Sequence, residues 1–149
     1  MAGASDRYAA TPLPRKLGIR AGSALLLVGA PPGFAVPGLP DGVVLLPAAD
    51  PAAPFDTALW FPPDLAGYEA GLPALRAAMA PAAGLWVAWR KRSAGGTGDL
   101  DGNVIREVAL PTGLVDNKVC AIDERWSGLR LVVRRDLRGE AGRGTPGPP

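Results

Sequence analysis

The chain contains no histidine. That absence removes Ser-His-Asp and Cys-His catalytic arrangements, imidazole metal ligands and the commonest general base. A single cysteine, Cys120, excludes an intrachain disulfide and a cysteine-rich zinc site, so the reading is a reduced, cytoplasmic setting. Cys120 lies between Val119 and Ala121 and is expected to be a buried, inert thiol. No long uninterrupted hydrophobic run occurs. The stretch Ala21–Pro40 is uncharged but holds four prolines and four glycines, which excludes a spanning helix. Met1–Ala10 carries Asp6 and Arg7 and lacks the apolar centre of a signal peptide, so secretion is not expected.

Charge of one sign is also scarce. Lys and Arg number 16 against 14 Asp and Glu, and the cations are scattered along the chain from Arg15 to Arg143. A nucleic-acid footprint requires a basic face or stripe, so nucleic acid is a disfavoured partner. The carboxylates Asp56, Asp116, Asp123 and Glu124 fall on different strands and form no metal-binding pattern.

What is present is a globular composition, 48% apolar and 20% charged, on 149 residues, the size of a single domain. The 20 glycines and 17 prolines require many loops. The expected organisation is a flexible N-terminus at 1–10, a single α/β domain at 11–135 and a disordered tail at 136–149 that lacks apolar content.

Along the chain, Ala24–Gly29 reads as a parallel strand covered on both faces, and Val43–Leu46 and Phe55–Phe61 as two more strands. Leu65, Tyr68, Leu72, Leu75 and Met79 give one apolar helical face within Asp64–Ala80, with a break expected after Gly71 because Pro73 follows. Leu85–Trp89 is a buried strand. Asp99 or Asp101 is placed to cap a helix carrying Leu100, Val104, Ile105 and Val108. A closing antiparallel hairpin runs through Leu114–Asp123 and Gly128–Arg134, with a loop at Glu124–Ser127, and the alternation of its second strand marks a half-exposed edge. The fold class is therefore α/β: a reduced Rossmann-like open sheet of about six strands, mostly parallel, ending in an antiparallel hairpin.

Ala80-Pro81-Ala82-Ala83-Gly84-Leu85-Trp86-Val87 resembles the approach to the fifth strand of class I methyltransferases, and the closing hairpin is similar to their sixth and seventh strands. More closely, Thr11-Pro12-Leu13 with Lys16-Leu17-Gly18-Ile19, Leu85-Trp86-Val87 with Trp89, Arg106–Leu110, Gly113–Asp116 with Lys118-Val119-Cys120, and Trp126–Leu129 resemble a bacterial family, domain of unknown function 3052. The resemblance spans Tyr8 to Arg135 and implies a methyltransferase-like fold; the family carries no established activity. The chain departs from the methyltransferase pattern in three places. Gly29-Ala30-Pro31-Pro32-Gly33-Phe34 replaces the glycine-rich cofactor turn, and its two prolines remove two backbone donors. Leu46 is followed by Pro47 and Ala48 rather than by the acidic residue that holds the ribose, and Asp50 comes late. The first two strands lie too close for a packed crossover helix, so one strand-helix unit is missing.

Candidate ligand-binding residues follow from strand ends: Gly29, Gly33 and Phe34 after the first strand, Asp50 after the second, Phe61 before Pro62-Pro63 after the third. Phe61-Pro62-Pro63-Asp64 resembles the Asn-Pro-Pro-Tyr element of amino-group methyltransferases, with the amide replaced. Arg90 and Lys91, with Arg92, follow the next strand and suit a phosphate or carboxylate. Trp126, in the hairpin loop, is either folded onto the sheet or offered to a partner. No catalytic residue or metal ligand is assigned. The expectation favours a non-enzymatic binding or regulatory domain with no cofactor and S-adenosylmethionine disfavoured. The alternatives are an S-adenosylmethionine-dependent methyltransferase with a divergent cofactor loop, and an anion- or nucleotide-binding domain. The expected partners are a protein or a small anionic ligand, with no membrane and homo-oligomerisation left open.

Overall fold

In the computed structural model, which describes residues 11–95 and 98–137, the apolar runs assemble into one six-stranded sheet. Its strands are β1 (Ala24–Val28), β2 (Val44–Leu46), β3 (Phe55–Trp60), β4 (Met79–Arg90), β5 (Leu114–Ala121) and β6 (Trp126–Val133). Among the described residues the α-helices that pack with them are α1 (Leu13–Leu17), α2 (Leu65–Ala77) and α3 (Gly102–Ala109). The order across the sheet is β2-β1-β3-β4-β6-β5, parallel from β2 to β4 and antiparallel from β4 to β5. This is the expected α/β class.

Period-two alternation along each strand divides the core. Leu26, Ala58, Trp60, Leu85, Val87, Leu129 and Leu131 face one layer, where they bury Tyr68, Leu72 and Leu75 of α2 and Ile105 of α3. Leu25, Leu59, Trp86 and Ala88 face the other, against Leu17 and Ile19 around α1 and Val36 from the loop between β1 and β2. No helix links β1 to β2. Ala30, Phe34, Val36, Leu39 and Val43 of that proline-rich connection pack on the sheet instead, which is the missing unit expected from the short spacing.

Both longer helices start at aspartates. The Asp64 carboxylate accepts from the Gly67 amide at 2.8 Å, and Asp101 rather than Asp99 caps α3, accepting from Val104 at 3.0 Å. The break expected at Pro73 does not occur: α2 runs through it from Leu65 to Ala77. Pro73 and Glu69, whose carbonyl loses its helical donor, are both exposed, so the released group is not buried. Helix α1 carried no periodic signal. It is held by tertiary contact, with buried Leu17 accepting at its carbonyl from the Trp86 indole at 2.9 Å.

Three boundaries differ from expectation. β4 begins at Met79, because the Phe55–Met79 pairing resumes the sheet before an irregularity that carries Pro81 outward. β6 is not an edge strand; it inserts between β4 and β5, so Leu129, Leu131 and Val133 are buried and β5 is the edge. Trp126 and Ser127 pair with Arg90 and Trp89 and so belong to β6 rather than to the loop. The expected N-terminal segment at 1–10 lies outside the described residues, as does the expected tail from 138 onward. Of that tail, Leu137 packs against the main core cluster.

Candidate functional site

The chain leaves β1 toward one face of the sheet, through the connection that packs beside Leu25 and Trp86. It leaves β3 toward the other, into α2. Loops that diverge from neighbouring parallel strands open a crevice at their carboxyl ends, the usual ligand position in open α/β sheets. Gly29 opens this crevice with φ +69°, and a β-carbon there would lie 2.9 Å from the Phe61 carbonyl oxygen. Glycine is therefore required twice, for the left-handed turn and for the close approach of two strand ends. The Phe61 amide donates to the Val28 carbonyl at 2.9 Å, fixing the two ends together.

A cavity of about 350 Å³ lies over the ends of β1, β3 and β4, bounded by Gly29, Phe61, Trp89, Arg90, Asp99 and Trp126. A second cavity, of about 500 Å³, lies beside it toward the α1 face, bounded by Pro31, Phe34, Arg90, Ile122, Arg125 and Trp126. Pro31, Arg90 and Trp126 border both. Three aromatic rings form the partition: Phe61 meets Phe34 edge-on at 5.0 Å and Trp126 edge-on at 5.0 Å and 89°. These contacts fold Trp126 back onto the sheet.

The electrostatics of the rim come from a few groups. Arg90 donates through Nε to the Ala94 carbonyl at 2.7 Å, which orients its guanidinium along the shared wall. Asp99 brings the single carboxylate of the first cavity. Asp123 borders the second, but its Oδ1 accepts from the Arg125 and Trp126 amides at 2.7 and 2.9 Å and so shapes the hairpin turn.

The structure brings most of the expected residues together. Gly29, Phe61, Arg90 and Trp126 border the first cavity, and Gly33, Phe34, Arg90 and Trp126 the second. Asp50 and Lys91 border neither. Asp50 is exposed and accepts from the Ala52 amide at 2.9 Å within its own loop. Lys91 reaches the Asp123 carbonyl at 2.9 Å and buttresses the hairpin. Sequence reasoning passed over Trp89, Asp99 and Arg125. Trp89 had been absorbed into a buried strand and Asp99 into a helix cap, and no local signal brought Arg125 to this rim.

Two titratable groups are displaced from their ordinary values. Burial pushes the Tyr68 phenol up, and its hydroxyl donates to the Ile105 carbonyl at 2.8 Å, a core role away from the crevice. Burial also pushes the Cys120 thiol up, opposed by the charges of Lys16 and Lys118. Cys120 is half-buried on the edge strand rather than fully enclosed. Asp56 accepts from the Ala24 amide at 2.8 Å at the opposite end of β1, and Asp116 pairs with Arg106 at 3.0 Å; both are structural.

No family model and no curated protein matches the chain. Solved structures do match, and across most of its length. The structure of DhpI in complex with SAH is 13% identical, covers 87% of this chain and 86% of its own, and superposes with a TM-score of 0.57. A TehB-like SAM-dependent methyltransferase from Corynebacterium glutamicum is 12% identical, with coverage of 87% and 96% and a TM-score of 0.54. The N-methyltransferase NodS from Bradyrhizobium japonicum is 14% identical, with coverage of 91% and 100% and a TM-score of 0.54. The chain has the class I methyltransferase fold.

Two expectations are thereby corrected. The reading as a non-enzymatic binding or regulatory domain gives way, because the structures that share this fold across nearly the whole chain are SAM-dependent methyltransferases. The expectation of no cofactor gives way on the same finding, one of those structures being an SAH complex. Pro31 and Pro32 do remove donors, yet the crevice beside Gly29 stays open. Among the described residues no helix is long and apolar enough to cross a membrane.

Proposed function

We propose that this protein is an S-adenosylmethionine-dependent methyltransferase acting in the cytoplasm, with its cofactor seated in the crevice between the ends of β1, β3 and β4. The observation that carries the proposal is the cavity beside Gly29, at the divergence of the β1 and β3 loops in a methyltransferase sheet. Membership of the bacterial family of unknown function, suggested by the motifs from Thr11 to Leu129, is part of the same proposal.

The lining suits the cofactor's chemistry in its amino-acid and aromatic portions. Arg90 matches a carboxylate and Asp99 an ammonium group, two opposite charges on one cavity wall. Phe61, Trp89 and Trp126 offer aromatic surface for a flat base and for a cationic sulfur. Gly29 lets the backbone approach closely. The ribose portion differs from the usual arrangement, since Asp50 points its carboxylate at its own loop. The bound cofactor supplies an electrophilic methyl group on sulfur; the chain's task is to orient that group, exclude water and hold the acceptor in line.

Calorimetric titration with S-adenosylhomocysteine tests the proposal. The expected dissociation constant is about 10 μM or tighter, equivalent to roughly 7 kcal/mol. Arg90→Ala and Asp99→Asn are each expected to weaken binding about tenfold. Absence of binding at about 1 mM ligand, where even a complex worth only ~4 kcal/mol would register, overturns it.

A further inference from the structure

The larger cavity, about 500 Å³, is not needed for the contacts assigned to the cofactor, yet it adjoins them through Pro31, Arg90 and Trp126. Its character is distinct. The floor is apolar and flat-sided, made by the Phe34 ring, the buried Ile122, Trp126 and the rigid Pro31-Pro32 turn. Its charged rim is cationic in balance. Arg90 uses only Nε on the Ala94 carbonyl, and the Arg125 side chain makes no hydrogen bond or ion pair among the described residues. Among the described residues the one carboxylate bordering it is Asp123, whose Oδ1 accepts from two backbone amides.

An apolar slot with guanidinium groups at its rim selects a flat apolar body that carries an anionic group, because the body displaces water from the aromatic walls while a guanidinium pairs with a carboxylate in two-point fashion. We infer that this second cavity is the acceptor site and that the acceptor is a small aromatic carboxylic acid bearing a second, nucleophilic hydroxyl or amino group, whose lone pair would form the bond to the methyl carbon as the methyl–sulfur bond breaks, the thioether leaving as S-adenosylhomocysteine and the displaced proton passing to solvent. The inference rests on the methyltransferase reading for the word acceptor; the recognition chemistry rests on the cavity alone. Arg125 is a specificity residue that grips the carboxylate. Trp126, with Pro31 and Arg90, borders both cavities, so a ligand seated in the second lies directly beside the first.

The test uses the full chain with 2-naphthoate as probe, its neutral analogue 2-naphthamide and inorganic phosphate as comparisons, and a separate titration with S-adenosylhomocysteine. Naphthoate is expected to bind about tenfold tighter than naphthamide, and more tightly than phosphate. Arg125→Gln should weaken naphthoate about tenfold and leave naphthamide unchanged, and Arg125→Lys should restore part of the loss. Arg125 is exposed, so these variants retain the fold. Equal affinity for acid and amide, phosphate binding as well as naphthoate, or indifference to Arg125→Gln overturns the inference. Naphthoate binding without S-adenosylhomocysteine binding keeps the acid site and removes the methyl-transfer reading. The reverse result removes the acid site alone.

Discussion

Phe61 and Trp126 meet edge to face at 5.0 Å and 89°, although they stand 65 positions apart in the sequence and belong to different strand ends. Phe61 is 4% exposed and borders the first cavity, while Trp126 borders both. The pair is at once a packing contact and the wall of the crevice. Phe61→Ala should cost about 3 kcal/mol, and Trp126→Ala, half-buried, about 2 kcal/mol. A double-mutant cycle in urea should yield a coupling of about 1 kcal/mol between the rings.

Two glycines of the same turn separate conformation from contact. Gly29 and Gly33 both have positive φ, +69° and +79°, but only at Gly29 would a β-carbon meet backbone, 2.9 Å from Phe61; nothing lies within 4 Å at Gly33. Gly33→Ala should lose about 1 kcal/mol for the left-handed conformation alone. Gly29→Ala should lose at least about 2 kcal/mol and weaken S-adenosylhomocysteine binding, because the β1 and β3 ends must separate. Equal losses in urea unfolding would show that the strand ends yield freely.

Pro73 lies inside α2 on its exposed side. Proline there forfeits a helical hydrogen bond, and alanine restores it at the expense of a freer unfolded chain. Pro73→Ala should therefore stabilise the protein by about 2 kcal/mol, raising the melting temperature by about 8 °C. Calorimetry checks the sign.

With no histidine, unfolding free energy should vary by less than about 1 kcal/mol between pH 6 and 7.5. Alkaline pH is different. Tyr68 and Cys120 both have folded values raised by burial, so the folded state retains protons that the unfolded state gives up. Their contribution is fully present below the ordinary thiol and phenol values, about 9 and about 10, and is lost as pH rises past them. Urea titrations from pH 8 to 11 should show stability falling, Cys120→Ser removing the earlier part of the decline and Tyr68→Phe the later part.

Much of this molecule was legible in one dimension. A continuous apolar run marks β1, because a strand covered on both faces needs no polar side. The aspartate before α3 is a local signal, since a cap bonds to amides two or three residues away. The hairpin at Asp123 is likewise local, its turn fixed by one carboxylate and the amides of Arg125 and Trp126, two and three residues on. Gly29, Phe61 and Arg90 could be nominated from strand ends alone, as carboxyl ends of parallel strands gather on one rim, and Trp126 as a large aromatic in a short hairpin loop.

The sequence by itself determined the six strands and the two longer helices, the absence of imidazole chemistry and the missing crossover helix, all properties set by neighbours a few residues apart. Only the tertiary structure decided that β6 lies inside the sheet, that α1 exists at all through the Trp86 bond to Leu17, and that Asp50 turns away from the crevice while Asp99 and Arg125 line its cavities. The reason is the length of the contacts. A cap or an alternation closes over a few residues, whereas the crevice closes over the full span from Gly29 to Trp126, and which side chains meet there is settled by sheet order and by the twist and packing of elements that no local pattern encodes.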